Sequence, residues 1–293
     1  MTSAKNRIAL TRRNFIQKLG LSAGAASIPA LCISSASNDD PFGNIGRDSP
    51  EDFQDIHKSK ISDYIKSIKK TIYSDYKGMY HNAVGDILPH PFITPGSAYR
   101  GELWDWDSWL TNVALKQILL DIGTEEDRKQ AIEHERGCIL NFLKYGGVDG
   151  WLPIVIWNNE NPRKDLPDNI HEINMHKPVI AQHAAFLVKS GDDAEWLRDE
   201  FWKLQKFIEN YVTHSKNLAT GLFYWQDDFA IGVDNDPSTF YRPKRSSGSI
   251  LLNCFMYKEL EAMAYLSKFL GKEDLEKYYR RISLELKNSI HDN

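Results

Sequence analysis

The chain has 293 residues, room for one large domain or two small ones, and its 42% hydrophobic and 26% charged content is that of a globular protein with a real core. Its first 36 residues hold five basic and no acidic side chains, and the rest carries 31 Lys+Arg against 40 Asp+Glu, a net of −9. An acidic body without a basic stripe argues against nucleic acid and against an anionic membrane surface, both of which are bound by neutralising phosphates.

Residues 11–18 read Thr-Arg-Arg-Asn-Phe-Ile-Gln-Lys, and a weakly apolar run from Leu19 to Ile33 follows. Ser34 and Ala36 then supply a small-residue cleavage point. A charged start, a short apolar middle and a small-residue end define a removable signal, and the arginine pair specifies the twin-arginine (Tat) export machinery. The expected segments are therefore a signal peptide at 1–36, a linker at 37–50 and a catalytic domain from 51 to 293, exported to the periplasm or beyond. The run is too short, and too broken by Gly and Pro29, to span a bilayer. Leu31 directly before Cys32 argues against lipid attachment.

Beyond the linker, helical periodicity dominates. Ile61, Tyr64, Ile65, Ile68 and Ile72 form one stripe; Leu197, Phe201, Leu204, Ile208 and Tyr211 a second; Leu252, Phe255, Met256, Met263 and Leu266 a third, closed by Gly271. Leu275, Tyr278, Tyr279, Ile282 and Leu286 give a fourth. Weaker helices are expected near 106–121, 126–145 and 177–190. No alternating Val/Ile runs compete, so the class is all-α. Cys138 and Cys254 fall on helices, where two buried thiols are expected rather than a bridge. Without CxxC or Cys/His ligand spacing, no metal site is indicated.

Three long segments separate these helices, at 77–102, 146–175 and 217–248. Loops of this length are uncommon without a role, and their wealth of Trp, Tyr, Phe, Pro and Asp is not a disordered composition. The first contains Pro95-Gly96 and Arg100 and leads into Trp104-Asp105-Trp106-Asp107-Ser108-Trp109. Asp107 or Ser108 could simply cap the following helix. Three tryptophans and two aspartates in six residues suit a sugar better: carboxylates accept hydroxyl hydrogen bonds, flat rings cover the apolar sugar face, and Arg100 donates. The second holds Gly150-Trp151-Leu152-Pro153 and Asn174-Met175-His176-Lys177-Pro178. The third holds Gly221-Leu222-Phe223-Tyr224-Trp225-Gln226-Asp227-Asp228 and Gly232-Val233-Asp234-Asn235-Asp236-Pro237, which could also be an acidic turn or a calcium loop.

Taken in order, these three clusters resemble the clan of trehalases, mannosylglycerate hydrolases and processing α-glucosidases. Pro95-Gly96, Arg100 and Trp106-Asp107-Ser108 are similar to the clan's first signature segment. Gly150-Trp151-Leu152-Pro153 and Asn174 through Pro178 are similar to its second, with Lys177 where many relatives have Gln. Gly232, Asp234, Asn235 and Pro237 match the loop that carries its general acid, although Ala230-Ile231 and Asp236 depart from it. The resemblance covers about residues 77–293. It implies an (α/α)6 barrel and an inverting glycoside hydrolase without cofactor or metal, acting on trehalose or another α-linked glucoside or mannoside. It makes Asp234 the acid and Arg100, Trp104, Trp106, Asp107, Trp151, Asn174, Lys177 and Asn235 the sugar-binding residues. Asp227, Asp228 and Asp236 would raise the proton affinity of Asp234 by like-charge repulsion.

A twelve-helix barrel needs more helices than the seven to nine read here, so the chain is expected to stop before closure, with the base, a Glu, falling past Asn293. Two rivals remain. One keeps the toroid as a polysaccharide lyase or unsaturated-sugar hydrolase; a lyase would need a Tyr/His pair, and His176 and His183 stand without a matching Tyr motif. The other, a sugar-binding remnant, would need no base at all.

Overall fold

A computed structural model of the chain describes residues 50–96, 99, 101–191, 193–233, 236 and 242–293. The expected signal peptide lies outside them. Two compact units divide the chain, residues 1–62 with residue 293, and residues 63–292. Of the first, the described part is Asn293 and the opening of one helix; the second holds everything that follows.

The described residues are mostly helical, so the chain is all-α. Its α-helices are α1 (Pro50–Asp75), α2 (Asp105–Ile122), α3 (Glu125–Lys144), α4 (Ile180–Lys189), α5 (Phe201–His214), α6 (Ile250–Phe269) and α7 (Glu273–Asp292). The three weaker helices expected from the sequence are thus α2, α3 and α4. Two-stranded antiparallel ladders, absent from the sequence reading, stitch the long segments. β1 (Tyr80–His81) pairs with β2 (Phe92–Ile93), and β3 (Glu102–Trp104) with β4 (Val155–Trp157), Leu103 standing opposite Ile156. Runs of two and three residues are too short for an alternating pattern to be visible.

Local chemistry sets the helix ends. Thr124 and Asp127 form a reciprocal capping box at the start of α3, leaving only two residues between α2 and α3, so the pair folds back as a hairpin. Ser249 accepts from Leu251 N to start α6. Its end is a left-handed stop: Gly271 has φ +72°, Gly271 N donates to Lys268 O at 3.1 Å and Lys272 N to Ser267 O at 2.8 Å. The Gly271 terminator read from the sequence is therefore real, and it turns α6 into a second hairpin with α7. Helix α4 packs against α2, α3 and α6, joining the two hairpins.

The core follows three of the four stripes. Leu197, Phe201, Leu204, Ile208 and Tyr211 are all buried, as are Leu252, Met256, Met263 and Leu266, and Tyr279, Ile282 and Leu286. The first stripe departs from expectation. On α1, Ile61, Tyr64, Ile65 and Ile68 are 47–67% exposed, and only Ile72 packs against the core. The helix forms on its own periodicity, but no described element covers that face.

Of the two thiols, Cys138 is buried and Cys254 exposed, which corrects the expectation that both are inside. Burial pushes the Cys138 thiol up to about 12. No described helix is long and apolar enough to cross a membrane.

Candidate active site

The first cluster sits where β3 runs into α2. Trp104 is the N-cap residue, with no side-chain cap, and two carboxylates in the first turn, Asp105 and Asp107, face the unpaired amides and dipole of the helix start. Capping is therefore not what Asp107 or Ser108 does: the helix begins earlier, and Ser108 Oγ donates back to Asp105 O at 2.9 Å. Trp104 is held by its Nε1, which donates to Glu102 Oε2 at 2.7 Å, and by an edge contact with Trp157 across the ladder.

The second cluster is bent into place by one glycine. At Gly150 φ is +70°, and a Cβ there would lie 2.0 Å from Lys206 O of α5, so only glycine permits this approach. Asp149 then holds Arg163 through two bonds at 3.0 and 2.8 Å, and Arg163 covers the Trp151 ring at 5.5 Å. Trp151, expected to touch sugar, is 5% exposed; its Nε1 donates to Asn174 O at 3.1 Å. It holds the next residue of the site from behind. Asn174 in turn commits its side-chain NH2 to Asp227 Oδ1 at 2.6 Å, which ties the second segment to the third.

Lys177 differs most from expectation. Its side chain is 2% exposed and its ammonium pairs with both oxygens of Asp105 at 3.1 Å, so it faces protein rather than a ligand. Lys177 N also donates to Asp105 Oδ2 at 2.9 Å, and Trp106 N to Asp105 Oδ1 at 2.7 Å. The same Nζ stands 5.0 Å from the centre of the Trp106 ring. A Cβ on Gly232 (φ +69°) would lie 2.9 Å from that Nζ and 3.4 Å from Trp106 Cζ2. Three motifs distant in sequence thus meet at one point: Asp105–Asp107, Lys177 and Gly232. Phe255 of α6 closes the group edge-on to Trp106 at 6.2 Å.

Asp107 is half-buried beside them. Burial, with the nearby Asp105 carboxylate, raises its proton affinity above the ordinary carboxylate range, and Lys177 opposes the shift. His176, adjacent to Lys177, is 2% exposed between the edges of Phe142 and Phe207, and burial depresses it to about 4. It is a neutral core histidine whose Nδ1 donates to Lys177 O at 2.6 Å. Behind them Glu259 of α6 accepts from Ala181 N (2.7 Å) and Gln182 N (3.0 Å), satisfying the first amides of α4.

Arg100, Asp234 and Asn235 lie outside the described residues; the chain leads toward the last two through Gly232 and Val233. Asp227, expected to crowd Asp234, is held by Asn174 and stands 3.9 Å from Lys244 Nζ. The side chain of Asp228 is not among those described. One turn along α2 from Trp106, an open pocket of about 500 Å³ lies between the helices, lined among others by Trp109, Gln182, Phe186, Lys258 and Tyr265. Sequence reasoning passed over Asp105 as a partner. The signal was present, two aspartates flanking one tryptophan, but which of them faces inward is decided by where the helix starts.

No known protein family's profile matches the chain, and no curated protein resembles it in sequence. Among solved structures it is similar to an uncharacterized conserved protein from Thermus thermophilus, with 18% identity and a TM-score of 0.47 over 75% of this chain. The match spans 62% of that protein's length.

Proposed function

We propose that this chain belongs to an exported, inverting glycoside hydrolase of the (α/α)6-barrel kind, acting on an α-linked glucoside or mannoside. The observation that carries the reading is the meeting of Trp106, Lys177 and Gly232: the three motifs that suggested a sugar site in the sequence converge in space. Packing alone gives no reason for these loops to be rich in Trp and Asp and also to share one point. Two hairpins joined through α4 are what part of such a barrel contains.

In this reading Trp106 covers the apolar face of the sugar and Asp107 accepts its hydroxyls. Asp234 gives its proton to the glycosidic oxygen as the C–O bond breaks. A water on the opposite face, deprotonated by a second carboxylate, completes the displacement with inversion, and the two carboxyl groups stand ~6.5–9.5 Å apart to admit it. That second carboxylate is not among the residues assigned above. A lyase has less support, because the histidines it would use, His176 and His183, are 2% and 3% exposed.

The test follows product formation from trehalose and from other α-glucosides and α-mannosides by the full gene product, with the anomer read by NMR. Asp234→Asn should lower kcat by ~10²–10⁴ while leaving KM largely unchanged, and an activated glycosyl fluoride should restore most of it. Asp107→Asn should weaken both substrates alike. Near-normal turnover of the natural disaccharide by Asp234→Asn removes Asp234 as the acid. Binding of these sugars with no turnover by the unaltered protein makes it a sugar-binding protein instead.

A further inference from the structure

Lys177 is the element of this site that composition and motif reading assign least well. Substrate contact is closed to it by burial, yet a desolvated ammonium is costly to keep unless its charge is used. Two other protein segments converge on it. Asp105 brings the start of α2, with both carboxylate oxygens at 3.1 Å; the peptide of Lys177 is fixed by His176 Nδ1 and by Val179 N, which donates to Lys177 O at 2.7 Å. Gly232 lays the third segment over the ammonium, and Trp106 seats its ring 5.0 Å from it, braced by Phe255. Two residues further along α2 is Asp107, half-buried, on which two charges act among the described residues: Asp105 from its own helix and Lys177 from the segment before α4.

We propose that the buried Asp105–Lys177 pair is the positioning element of the site, seating Trp106 and the Gly232 segment against one another while the Lys177 ammonium offsets the Asp105 charge beside Asp107. This deepens the glycosidase reading and rests on it for the role of Asp107. The pairing and its effect on Asp107 do not depend on any reaction. Three roles follow from one geometry. The ammonium neutralises Asp105, so the start of α2 can be buried. With its Cε it fills the space beside residue 232, where a Cβ would lie 2.8 and 2.9 Å from Cε and Nζ and φ is +69°, so a glycine stands there. Its remaining field falls on Asp107, which is the stronger hydrogen-bond acceptor when ionised.

The closing experiment separates charge from shape. The full gene product, labelled with 13C at aspartate carboxyls, is titrated by NMR, with the Asp107 signal identified by its loss in Asp107→Asn. Lys177→Gln removes a cation and should move the Asp107 midpoint upward. Asp105→Asn removes an anion and should move it downward. The double variant Asp105→Asn/Lys177→Gln replaces an ion pair by an amide pair and should lie between the two. Opposite signs identify a direct field, because a merely structural lesion has no reason to discriminate between the two partners. Midpoints that move the same way, or not at all, in folded variants overturn the proposal.

Should the single variants fail to fold while the double variant folds, pairing is upheld, since each single change strands one buried charge. Folded singles beside an unfolded double would overturn it. The titration reads Asp107 without turnover, so it stands even if no glycoside is ever cleaved. If the titration behaves as expected and catalysis is absent, the function reading falls and the pair remains.

Discussion

Glu259 brings a carboxyl group into the middle of the helices, facing the amides of Ile180, Ala181 and Gln182 and the Gln182 side chain, with no described cation beside it. Two competing effects act on it: the N–H groups of Ala181 and Gln182 favour the carboxylate, and complete burial favours the acid. Burial wins, and the group titrates at about 8 instead of the ordinary 4.5. The folded protein therefore keeps a proton that the unfolded chain releases through that interval. Since stability rises with pH only where the unfolded state binds more protons, this group makes the fold less stable as pH climbs from about 4.5 to 8. Glu259→Gln cannot ionise and should lose that slope. Thermal melts at intervals from pH 5 to 9 should show the variant gaining on the unaltered protein up to about pH 8 and levelling off above it, and parallel curves throughout would remove Glu259 as the source.

At the scale of elements, the start of α3 shows how one carboxylate can organise several pieces. Asp127 completes the capping box with Thr124 and also accepts from Tyr76 OH at 2.7 Å and Tyr73 OH at 2.9 Å, with Lys77 Nζ at 3.1 Å. These donors hold its carboxyl far below the usual carboxylate range, so its contribution is full above the unfolded value and declines progressively as pH falls below it. Thr124→Ala removes one cap and should cost about 1 kcal/mol. Asp127→Ala also strands the buried Tyr76 hydroxyl, adding roughly 1–3 kcal/mol. Urea unfolding of the two variants checks the order, and equal losses would mean the tyrosines do not depend on Asp127. Helix α3 has a second constraint that no propensity scale contains. Gly137 lies in its interior because a Cβ there would lie 1.8 Å from Pro91 O of the segment entering β2.

For the molecule as a whole, the proposed export rests on the sequence of the first 36 residues. Arg12 and Arg13 stand ahead of a weakly apolar run without an acidic residue, a form suited to passing a folded protein through the twin-arginine route. Replacing both by Lys preserves charge and should leave the precursor in the cytoplasm, as fractionation followed by immunoblotting would show. Normal accumulation outside the cytoplasm would break the assignment. Transport after folding would also suit a site assembled from segments over a hundred residues apart, from Asp105 to Gly232.

The all-α class was legible from the chain because it rests on local rules: apolar spacing for α5, α6 and α7, Gly271 as a terminator, and the lack of strand-like alternation. The aromatic and acidic character of the loops that form the candidate site was legible for the same reason, since composition is local. Which residue does what was not legible. Lys177 reads as a contact residue until Asp105 is seen to pair with it, and Trp151 reads as a sugar platform until Arg163 and Asn174 are seen to enclose it. The stripe on α1 has the same periodicity as the buried stripes, and only the packing of other elements tells them apart. Periodicity states which side of a helix is apolar; whether that side is covered depends on residues far away in sequence. Tertiary structure alone decided that Gly232 lies on the ammonium of Lys177, because that contact joins segments whose separation no local rule can bridge.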